Sequence, residues 1–398
     1  MPSVLQKICC LFICVIIYSC NSSSDDTPPE EENFECNTVA NVLDSSVIID
    51  RQESLVAFIE AGYTRINGTL EIKTIDDLSF LQCVSFVEEL VITGSNVTDL
   101  SDLSNTSFDR LTITSFPNIV NFEGIGNVTS LIKLRVGNNE RLVNFEGLNT
   151  LTSVSILEVW NNPSLVDFSG LENVRSNPYV QDLNDFEDRE LYINSNPNLQ
   201  SLNGLQNLQG ALNNALSIYD CPNLSEIPAF LGLTKMTAFN ITYTPSLTSI
   251  NAFPNVTEID FINVAEQASL QELAFPELER AASIRLSVCN NLTTLDFTSL
   301  TEIIFEFESI SLELQELNSL TNLSGFANLE TTSNGVDILS NDDPFEISLS
   351  NICMLRDLYV NNATDQNDAN DVLVLSECYY FDSSFVTVLE FDTHCNCP

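Results

Sequence analysis

The feature that most constrains the fold is a nine-residue phrase that repeats 23 residues further along the chain. Residues 131–139 spell Leu-Ile-Lys-Leu-Arg-Val-Gly-Asn-Asn, and residues 154–162 spell Val-Ser-Ile-Leu-Glu-Val-Trp-Asn-Asn. Both copies place apolar side chains at the first, fourth and sixth positions and asparagine at the ninth. A unit this short cannot bury its own apolar face, so its copies must stack and share one core. The repeat therefore predicts a solenoid in which each copy supplies a short strand and the turn after it.

The strand part of the phrase is an apolar-x-apolar triplet that recurs at spacings of 20 to 25 residues, with one exception. Its ten copies begin at Leu70, Leu90, Leu111, Leu134, Leu157, Leu191, Leu216, Phe239, Ile259 and Ile284. The exception is the 34-residue step from Leu157 to Leu191, which predicts an inserted loop over residues 174–189. Since side chains alternate along a strand, the first and third residues of each triplet face inward and the middle one outward. Each inward Leu or Ile contributes roughly 1.5–3 kcal/mol, so ten coils supply a core that one coil cannot.

The ninth position of the phrase has a predicted role at the turn. Asn139, Asn162 and Asn196 can point inward there and bond to backbone groups that the bend leaves free. Later copies place Cys221, Thr244, Val264 and Cys289 at the same offset. A ladder of asparagines would satisfy buried groups that otherwise cost about 1–3 kcal/mol each.

Residues 191–205, Leu-Tyr-Ile-Asn-Ser-Asn-Pro-Asn-Leu-Gln-Ser-Leu-Asn-Gly-Leu, show the phrase together with its tail. They resemble the receptor L domain branch of the leucine-rich-repeat superfamily, and more closely the Bacteroidetes surface lipoproteins built from such repeats. Residues 61–68, Ala-Gly-Tyr-Thr-Arg-Ile-Asn-Gly, share this resemblance, which covers roughly residues 36–330. It implies a right-handed solenoid of parallel strands and a role in binding, and it transfers no functional residue.

These patterns predict a mostly β protein with little helix, a right-handed leucine-rich-repeat solenoid of about 10–12 coils capped at both ends. The expected divisions are a signal peptide at 1–19, an acidic disordered tether at 20–35, an N-terminal cap at 36–68, the solenoid at 69–339 and a cysteine-containing C-terminal cap at 340–398. Within the N-terminal cap, Asp50 and Glu53 form a capping-box variant before the apolar run 54–61. Gly62 is placed to end that helix.

The N-terminus has the features of an export signal. Lys7 precedes an eleven-residue apolar run at residues 8–18, which is shorter than the about 20 residues of a membrane-spanning helix. Residues 17–20, Ile-Tyr-Ser-Cys, resemble a bacterial lipoprotein signal, although Tyr18 is bulkier than the usual residue there. The resemblance implies lipidation of Cys20, and with it a location at the outer membrane or cell surface through that lipid alone. The alternative is an ordinary secretory signal and a secreted soluble protein.

Eight of the twelve cysteines remain once the signal and Cys20 are removed. An exported protein oxidises the pairs that can meet. Cys221 and Cys289 are three coils apart in the predicted register, roughly 14–15 Å, which exceeds the ~7 Å limit between the Cα atoms of a disulfide. We therefore expect both to be buried free thiols, and we expect a Cys36–Cys83 disulfide near one end. Two more bridges are expected among Cys353, Cys378, Cys395 and Cys397, without the strained Cys395–Cys397 pair.

Charge and composition argue against several functional classes. The chain has 56 Asp and Glu against 14 Lys and Arg, a net charge of −42, whereas nucleic-acid binding needs clustered cations. The single histidine, His394, is near the end of the chain, so a Ser-His-Asp or Cys-His centre or a histidine-rich zinc site is not expected. Residues 361–371 resemble a calcium loop only in composition, which favours a polar surface loop. We expect no enzyme activity, no cofactor and no metal.

The outward strand residues are the candidate ligand-binding surface, because the strand face of a solenoid is broad, regular and rigid. The candidates are Arg135, Trp160, Tyr192, Tyr219, Tyr243 and Arg285. Aromatic faces beside polar groups can stack on sugar rings or anchor a protein partner. The alternative is that these aromatic side chains only pack across neighbouring strands.

The function that these features favour is non-catalytic recognition of a protein or glycan at the cell surface. The first alternative is a structural or adhesion protein without a discrete ligand site. The second is a carboxylate-based hydrolase, which would need a pocket holding two converging carboxylates.

Overall fold

The computed structural model describes residues 36, 39–176, 191–304, 312–320, 323–332, 336–339 and 374–375. Over these residues the chain is mostly β with one helix, and its parallel strands stack into a β-solenoid of about 11 turns. The predicted solenoid of parallel strands is therefore confirmed. The signal peptide, Cys20, the tether, the four C-terminal cysteines, residues 361–371 and His394 lie outside the described residues.

The helix, α1, spans Gln52–Ala61, and short 3-10 helices span Ser79–Cys83, Ser101–Leu103 and Ser324–Phe326. In chain order the strands are β1 (Val42–Leu43), β2 (Val47–Ile49), β3 (Arg65–Lys73), β4 (Phe86–Thr93), β5 (Ser107–Thr114), β6 (Ser130–Gly137), β7 (Ser153–Trp160), β8 (Leu191–Asn194), β9 (Gln209–Tyr219), β10 (Gly232–Thr242), β11 (Ser249–Ile250), β12 (Glu258–Ala265), β13 (Glu272–Ala274), β14 (Arg280–Ser287), β15 (Thr294–Asp296), β16 (Glu302–Ile303), β17 (Leu312–Gln315), β18 (Thr331–Thr332), β19 (Val336–Leu339) and β20 (Val374–Leu375). β11, β13 and β15 form a three-stranded sheet, and the other strands form a 17-stranded sheet.

The strands of the large sheet pair in the predicted register, with each phrase position opposite itself in the next coil. Leu134 lies opposite Leu111 on one side and Leu157 on the other, and Leu157 lies opposite Leu191. All four side chains are buried, which confirms the inward position of the first leucine of the triplet. Because every coil repeats this burial, the core runs without interruption from coil to coil.

One predicted strand start is wrong. Phe239 of β10 pairs with Ile262 of β12, so this copy of the phrase begins at Ile262 and not at Ile259. Ile259 is buried three residues earlier in the same strand, and Phe261 is 38% exposed. The error arose because β12 contains two successive apolar-polar-apolar triplets, which periodicity alone cannot distinguish.

The predicted asparagine ladder is confirmed at the turns after β6, β7 and β8. Asn139, Asn162 and Asn196 are fully buried. The Oδ1 of Asn162 accepts a hydrogen bond from the backbone N–H of Asn139 at 3.1 Å, and its Nδ2 donates to the carbonyl oxygen of Val136 at 3.1 Å. Asn196 repeats both contacts one coil later, at 3.0 Å to Asn162 and 3.0 Å to Val159. The ladder therefore joins each coil to the next where the strand ends.

The same buried turn position, which we call the slot, holds other residues in later coils. Cys221 and Cys289 are buried free thiols, as predicted. Since the phrase in β12 starts three residues later than predicted, Gln267 occupies the slot and the assignment of Val264 to it is wrong. Gln267 is fully buried, and its Oε1 accepts a hydrogen bond from the Thr244 hydroxyl at 2.6 Å. The slot thus contains hydrogen-bonding side chains through most of the solenoid.

Two stacks of buried phenylalanine rings run from coil to coil. Phe122, Phe145 and Phe168 stack with ring centroids 5.3–5.4 Å apart. Phe230, Phe253, Phe275, Phe297 and Phe326 form the second stack, with neighbouring centroids 4.9–5.6 Å apart. Each coil in these stacks contributes one ring, so aromatic packing repeats with the same period as the strands.

The predicted helix in the first coil is confirmed, but its N-terminal cap differs from the prediction. The Ser54 hydroxyl accepts hydrogen bonds from the backbone N–H groups of Asp50 and Arg51, at 3.1 and 3.2 Å. Ser54 therefore takes the capping role that the sequence assigned to Glu53, and Arg51 is the N-cap residue. Gly62 ends the helix with a left-handed φ of 61°, as predicted.

The predicted Cys36–Cys83 disulfide is also confirmed, with an S–S distance of 2.01 Å. Cys83 ends the 3-10 helix that precedes β4. Phe80 of the same 3-10 helix packs edge-on against Phe58 of α1, with centroids 5.6 Å apart. The disulfide and this ring contact connect the N-terminal segment and the helix to the coils that follow.

Candidate ligand-binding face

The outward residues of the large sheet form rows that cross neighbouring strands. The first row contains Arg135, Glu158, Tyr192, Ser217 and Asn240, from β6 to β10. The second row contains Gly137, Trp160, Asn194, Tyr219 and Thr242 from the same five strands. The in-register stacking of the coils thus brings together side chains that are far apart in sequence.

Five side chains on and next to these rows form what we call the aromatic patch: Trp160, Tyr192, Asn194, Tyr219 and Tyr243. Asn194 lies between Trp160 and Tyr219 in the second row, and the rings of Tyr192 and Tyr219 are 5.9 Å apart. Tyr243 directly follows β10 with a left-handed φ of 56° and is 48% exposed. Four of the six predicted site residues therefore belong to this patch, and Asn194 is a member that the prediction missed.

Trp160 packs across the sheet on one of its neighbours. It pairs with Gly137 of β6, and a Cβ placed on Gly137 would lie 2.2 Å from Cε2 of the indole. The absence of a side chain at Gly137 therefore lets the indole lie against the backbone. Trp160 remains half-buried, so the cross-strand packing that we considered as an alternative leaves part of the ring at the surface.

The slot residues hold the backbone of the second row. Asn162 donates from Nδ2 to the carbonyl oxygen of Trp160 at 3.1 Å, and Asn196 donates in the same way to Asn194 at 3.0 Å. In the next coil, the Cys221 thiol lies 3.3 Å from the carbonyl oxygen of Tyr219. Each of these patch residues is thus fixed by the buried side chain two residues later. A surface held in this way loses little conformational entropy when a ligand binds.

The patch also presents polar groups. In the described part of the chain, the Asn194 Nδ2 and the Tyr219 hydroxyl make no hydrogen bond. Asn240 donates from Nδ2 to the Ser217 hydroxyl at 3.1 Å, in the adjoining first row. An amide and a phenol beside aromatic faces can donate to and accept from a ligand without losing existing bonds.

The two predicted arginines form ion pairs with the next coil. The Nε of Arg135 lies 2.7 Å from Glu158, and the Nε of Arg285 lies 2.6 Å from Glu313. Arg135 borders the aromatic patch on β6. Arg285 is on β14, two strands beyond β10, so the structure does not place it with the patch. Arg285 is exposed, and surface pairs of that kind contribute about 0–1 kcal/mol to stability, whereas Glu158 in the other pair is buried.

Charge is distributed unevenly between the strands and the rest of the chain. The strands of the large sheet contain eight Lys and Arg and ten Asp and Glu, whereas the whole chain has 14 and 56. β8 and β9 contain no charged residue, and β10 contains only Lys235. The aromatic patch therefore lies on strands that are nearly neutral, in a protein whose acidic residues are concentrated outside the large sheet.

Asp260 on β12 was not singled out from the sequence. Burial raises the pKa of its carboxyl, while the Lys235 ammonium lowers it and the Glu258 carboxylate raises it. Lys235 binds Glu258 at 2.6 Å. Two neighbouring carboxyl groups, one of them with a raised pKa, are a component of glycosidase chemistry. These groups lie in the N-terminal halves of β10 and β12, however, whereas the residues of the aromatic patch lie at or near the C-terminal ends of their strands. The two sets of residues therefore do not form one site.

Burial raises the pKa of Cys221 to about 12 and that of Cys289 to about 11. Both thiols are therefore protonated at neutral pH, and a protonated thiol is a poor nucleophile. They act as small packing groups in the slot.

Among the described residues, no group of three or more His, Cys, Asp and Glu side chains could hold a metal ion. No helix in the same part of the chain is both long and apolar enough to cross a membrane.

Neither a comparison with protein-family models nor one with curated proteins finds a match for this chain. The geometry of the face itself is therefore the basis for assigning a function to this chain.

Proposed function

We propose that this chain is a non-catalytic recognition protein that binds a protein or glycan ligand through the aromatic patch. The observation that carries the proposal is the meeting of Trp160, Tyr192, Tyr219 and Tyr243, one from each of four successive coils, on one nearly neutral face. Large aromatic side chains on rigid backbone are the commonest anchors of binding surfaces. The slot bonds to the patch carbonyls support this role, because they preorganise the surface before a ligand arrives.

The proposal includes the repeat type and its ends. The leucine phrase and the asparagine ladder support a leucine-rich-repeat solenoid of the receptor L type. The helix α1 and the Cys36–Cys83 bridge support an N-terminal cap over the first coil, and residues 340–398 would form the C-terminal one. Caps of this kind cover strand edges that would otherwise pair with other chains.

The proposal also places the protein at the cell surface, anchored to the outer membrane by a lipid on Cys20. The motif at residues 17–20 supports it, and secretion is the alternative. Expressed in a lipoprotein-processing host, the chain should fractionate with membranes and require detergent for release. A Cys20→Ala variant should appear in the soluble or secreted fraction, and equal membrane retention of both chains would reject the anchor.

The binding role is tested by a ligand screen with the purified protein against immobilised glycans and cell-surface proteins. A variant carrying Trp160→Ala and Tyr219→Ala should lose retention of the ligand that the unchanged protein captures. Phe261→Ala is the matched control, because Phe261 is also an exposed aromatic residue on an outward strand position but lies outside the patch. Each variant is first shown by circular dichroism to be folded.

Unchanged retention by the double variant would reject the patch as the binding surface. Capture of no ligand by the folded protein would favour the alternative, a structural or adhesion protein without a discrete ligand site.

A further inference from the structure

We infer that the ligand of the aromatic patch is an uncharged oligosaccharide chain that runs across the strands. This inference rests on the proposed binding function and specifies its ligand class. Three observations carry it: the composition of the face, its charge, and the spacing of its rings.

The composition of the face favours sugar over protein. The first and second rows, together with the left-handed positions Asn138, Asn161, Ser195, Asp220 and Tyr243, include no Leu, Ile, Val or Met. Apart from the Arg135–Glu158 ion pair and the Asp220 carboxylate, the surface around the rings is thus made of amide and hydroxyl groups. Sugar rings have flat C–H faces that stack on aromatic rings, and their rims consist of hydroxyl groups that pair with amides and phenols. The fully buried core of a protein–protein interface is instead about two-thirds apolar.

The charge of the face indicates an uncharged ligand. An anionic polymer would be repelled by a chain of net charge −42, and the patch strands offer it almost no cation. Arg135, which borders the patch on β6, is already paired with Glu158 at 2.7 Å. A basic partner would be drawn mainly to the acidic residues outside the large sheet, because β8 and β9 have no carboxylate. Of the carboxylates beside the rings, Glu158 is paired with Arg135, and Asp220 accepts a hydrogen bond from the Ser195 hydroxyl. An uncharged glycan is the ligand class that requires neither cationic nor anionic side chains on the face.

The spacing of the rings indicates the direction and minimum length of the chain. Trp160 and Tyr219 occupy the same row two strands apart, so their backbone positions are separated by roughly 10 Å, and the Trp160 indole extends from there over Gly137 of β6. Asn194 lies between them with its Nδ2 free of other described groups. One sugar unit extends about as far as one strand spacing. Three successive units can therefore stack on Trp160, bond to Asn194 and stack on Tyr219.

The single tryptophan makes this inference directly testable. Since Trp160 is the only tryptophan in the chain, fluorescence excited at wavelengths that the nine tyrosines do not absorb reports on the patch alone. The purified protein is titrated with uncharged oligosaccharides of one to six units, covering hexose, pentose and N-acetylhexosamine chains in α and β linkage. Sulfated and uronate oligosaccharides and a basic peptide serve as charged probes.

We expect saturable changes in Trp160 emission with at least one uncharged series, absent for its monosaccharide and reaching full affinity at about three or more units. Tyr219→Ala should weaken the affinity at least tenfold while keeping the reporter. Asn194→Ala should weaken it several-fold, and Phe261→Ala should leave it unchanged. For Trp160→Ala, calorimetry replaces fluorescence and should show at least a tenfold loss.

The outcomes separate this inference from the proposed function. If no uncharged oligosaccharide changes the emission, or if a charged probe binds more tightly, the glycan inference is wrong. If a protein ligand binds and Trp160→Ala with Tyr219→Ala abolishes it, the proposed function stands without the glycan. If a glycan binds but Tyr219→Ala and Trp160→Ala have no effect, both the inference and the patch are rejected.

Discussion

Replacing Asn162 by alanine should destabilise this protein far more than replacing an exposed asparagine that also bonds between coils. The Asn162 side chain is fully buried and takes part in five hydrogen bonds. It accepts two from Asn139 and donates to the carbonyl oxygens of Val136 and Trp160 and to the Oδ1 of Asn196. These contacts connect three coils at one point.

The expected loss of stability follows from the buried polar groups that Asn162→Ala leaves without a hydrogen-bond partner. Asn162→Ala leaves the backbone N–H of Asn139 and the carbonyl oxygen of Val136 without this partner in a buried site. An unpaired buried group costs about 1–3 kcal/mol, so the two together predict a loss of about 2–6 kcal/mol in the free energy of unfolding. Asn162→Cys should lose less stability than Asn162→Ala. In a later coil Cys221 occupies the same slot, and its sulfur accepts a hydrogen bond from the backbone N–H of Asn196.

The assay is guanidinium unfolding followed by Trp160 fluorescence and, separately, by far-ultraviolet circular dichroism. Coincidence of the two curves is required, because long repeat proteins can unfold in parts. Asn198→Ala is the control: Asn198 is exposed, donates one inter-coil bond to the carbonyl oxygen of Pro163 at 2.7 Å and accepts a longer one from Nδ2 of Asn223 at 3.3 Å. This control substitution should lower the free energy of unfolding by about 0.5–1.5 kcal/mol. If Asn162→Ala costs no more than Asn198→Ala, the ladder does not hold the coils together and the reasoning fails.

Three further predictions concern the described cysteines and Asp260. Replacing Cys36 and Cys83 by serine should lower the free energy of unfolding by about 2–4 kcal/mol, because the bridge closes a 47-residue separation; an unchanged melting temperature would contradict this. Iodoacetamide at pH 8 should leave Cys221 and Cys289 unmodified in the native protein and label both in guanidinium, as read by peptide mass spectrometry, because burial raises both thiol pKa values. Since the folded pKa of Asp260 is raised, its stabilising contribution is present at low pH and is lost as its carboxyl ionises. Asp260→Asn should therefore raise the melting temperature at pH 7 and leave it unchanged at pH 3; a decrease at pH 7 would contradict the sign.

The inward positions of the solenoid were predictable because they obey a local rule. A buried apolar residue at the start of each triplet and the asparagines of the ladder at the ninth position follow from the short repeat and from the need to satisfy backbone groups at a bend. The rule failed at Ile259, where a second triplet in the same strand satisfies the same pattern. Only the pairing of Ile262 with Phe239 decides between the two, and pairing is a property of the neighbouring coil.

The left-handed residue before each slot was missed, although the sequence carries a signal for it. Asn138, Asn161 and Asp220 stand at this offset, and Asn and Asp tolerate positive φ better than most residues. Tyr243 and Val288 adopt it too, with φ of 56° and 55°. Such residues give no local signal, because the surrounding coils impose the conformation.

The outward face was only partly predictable for a different reason. Aromatic and cationic residue types at outward positions include Trp160 and Tyr219 but also Arg285, which belongs to a separate ion pair. Asn194 and Gly137 could have been found by aligning the coils at the second outward position, since both occupy the row of Trp160. Their roles depend on being neighbours of that tryptophan, and a residue type alone does not reveal a neighbour.

The slot connects stability to recognition in this fold. The side chains of Asn162, Asn196 and Cys221 face the core, yet each contacts the backbone carbonyl of a residue in the row that carries Trp160 and Tyr219. Replacing a slot residue should therefore disturb the patch, although the slot side chain itself makes no contact with a ligand. Replacing an exposed ring should change binding with little effect on the core, because the core is formed by the inward side chains and does not include the ring. One phrase thus specifies the architecture through its inward positions, while its outward positions are free to select the ligand.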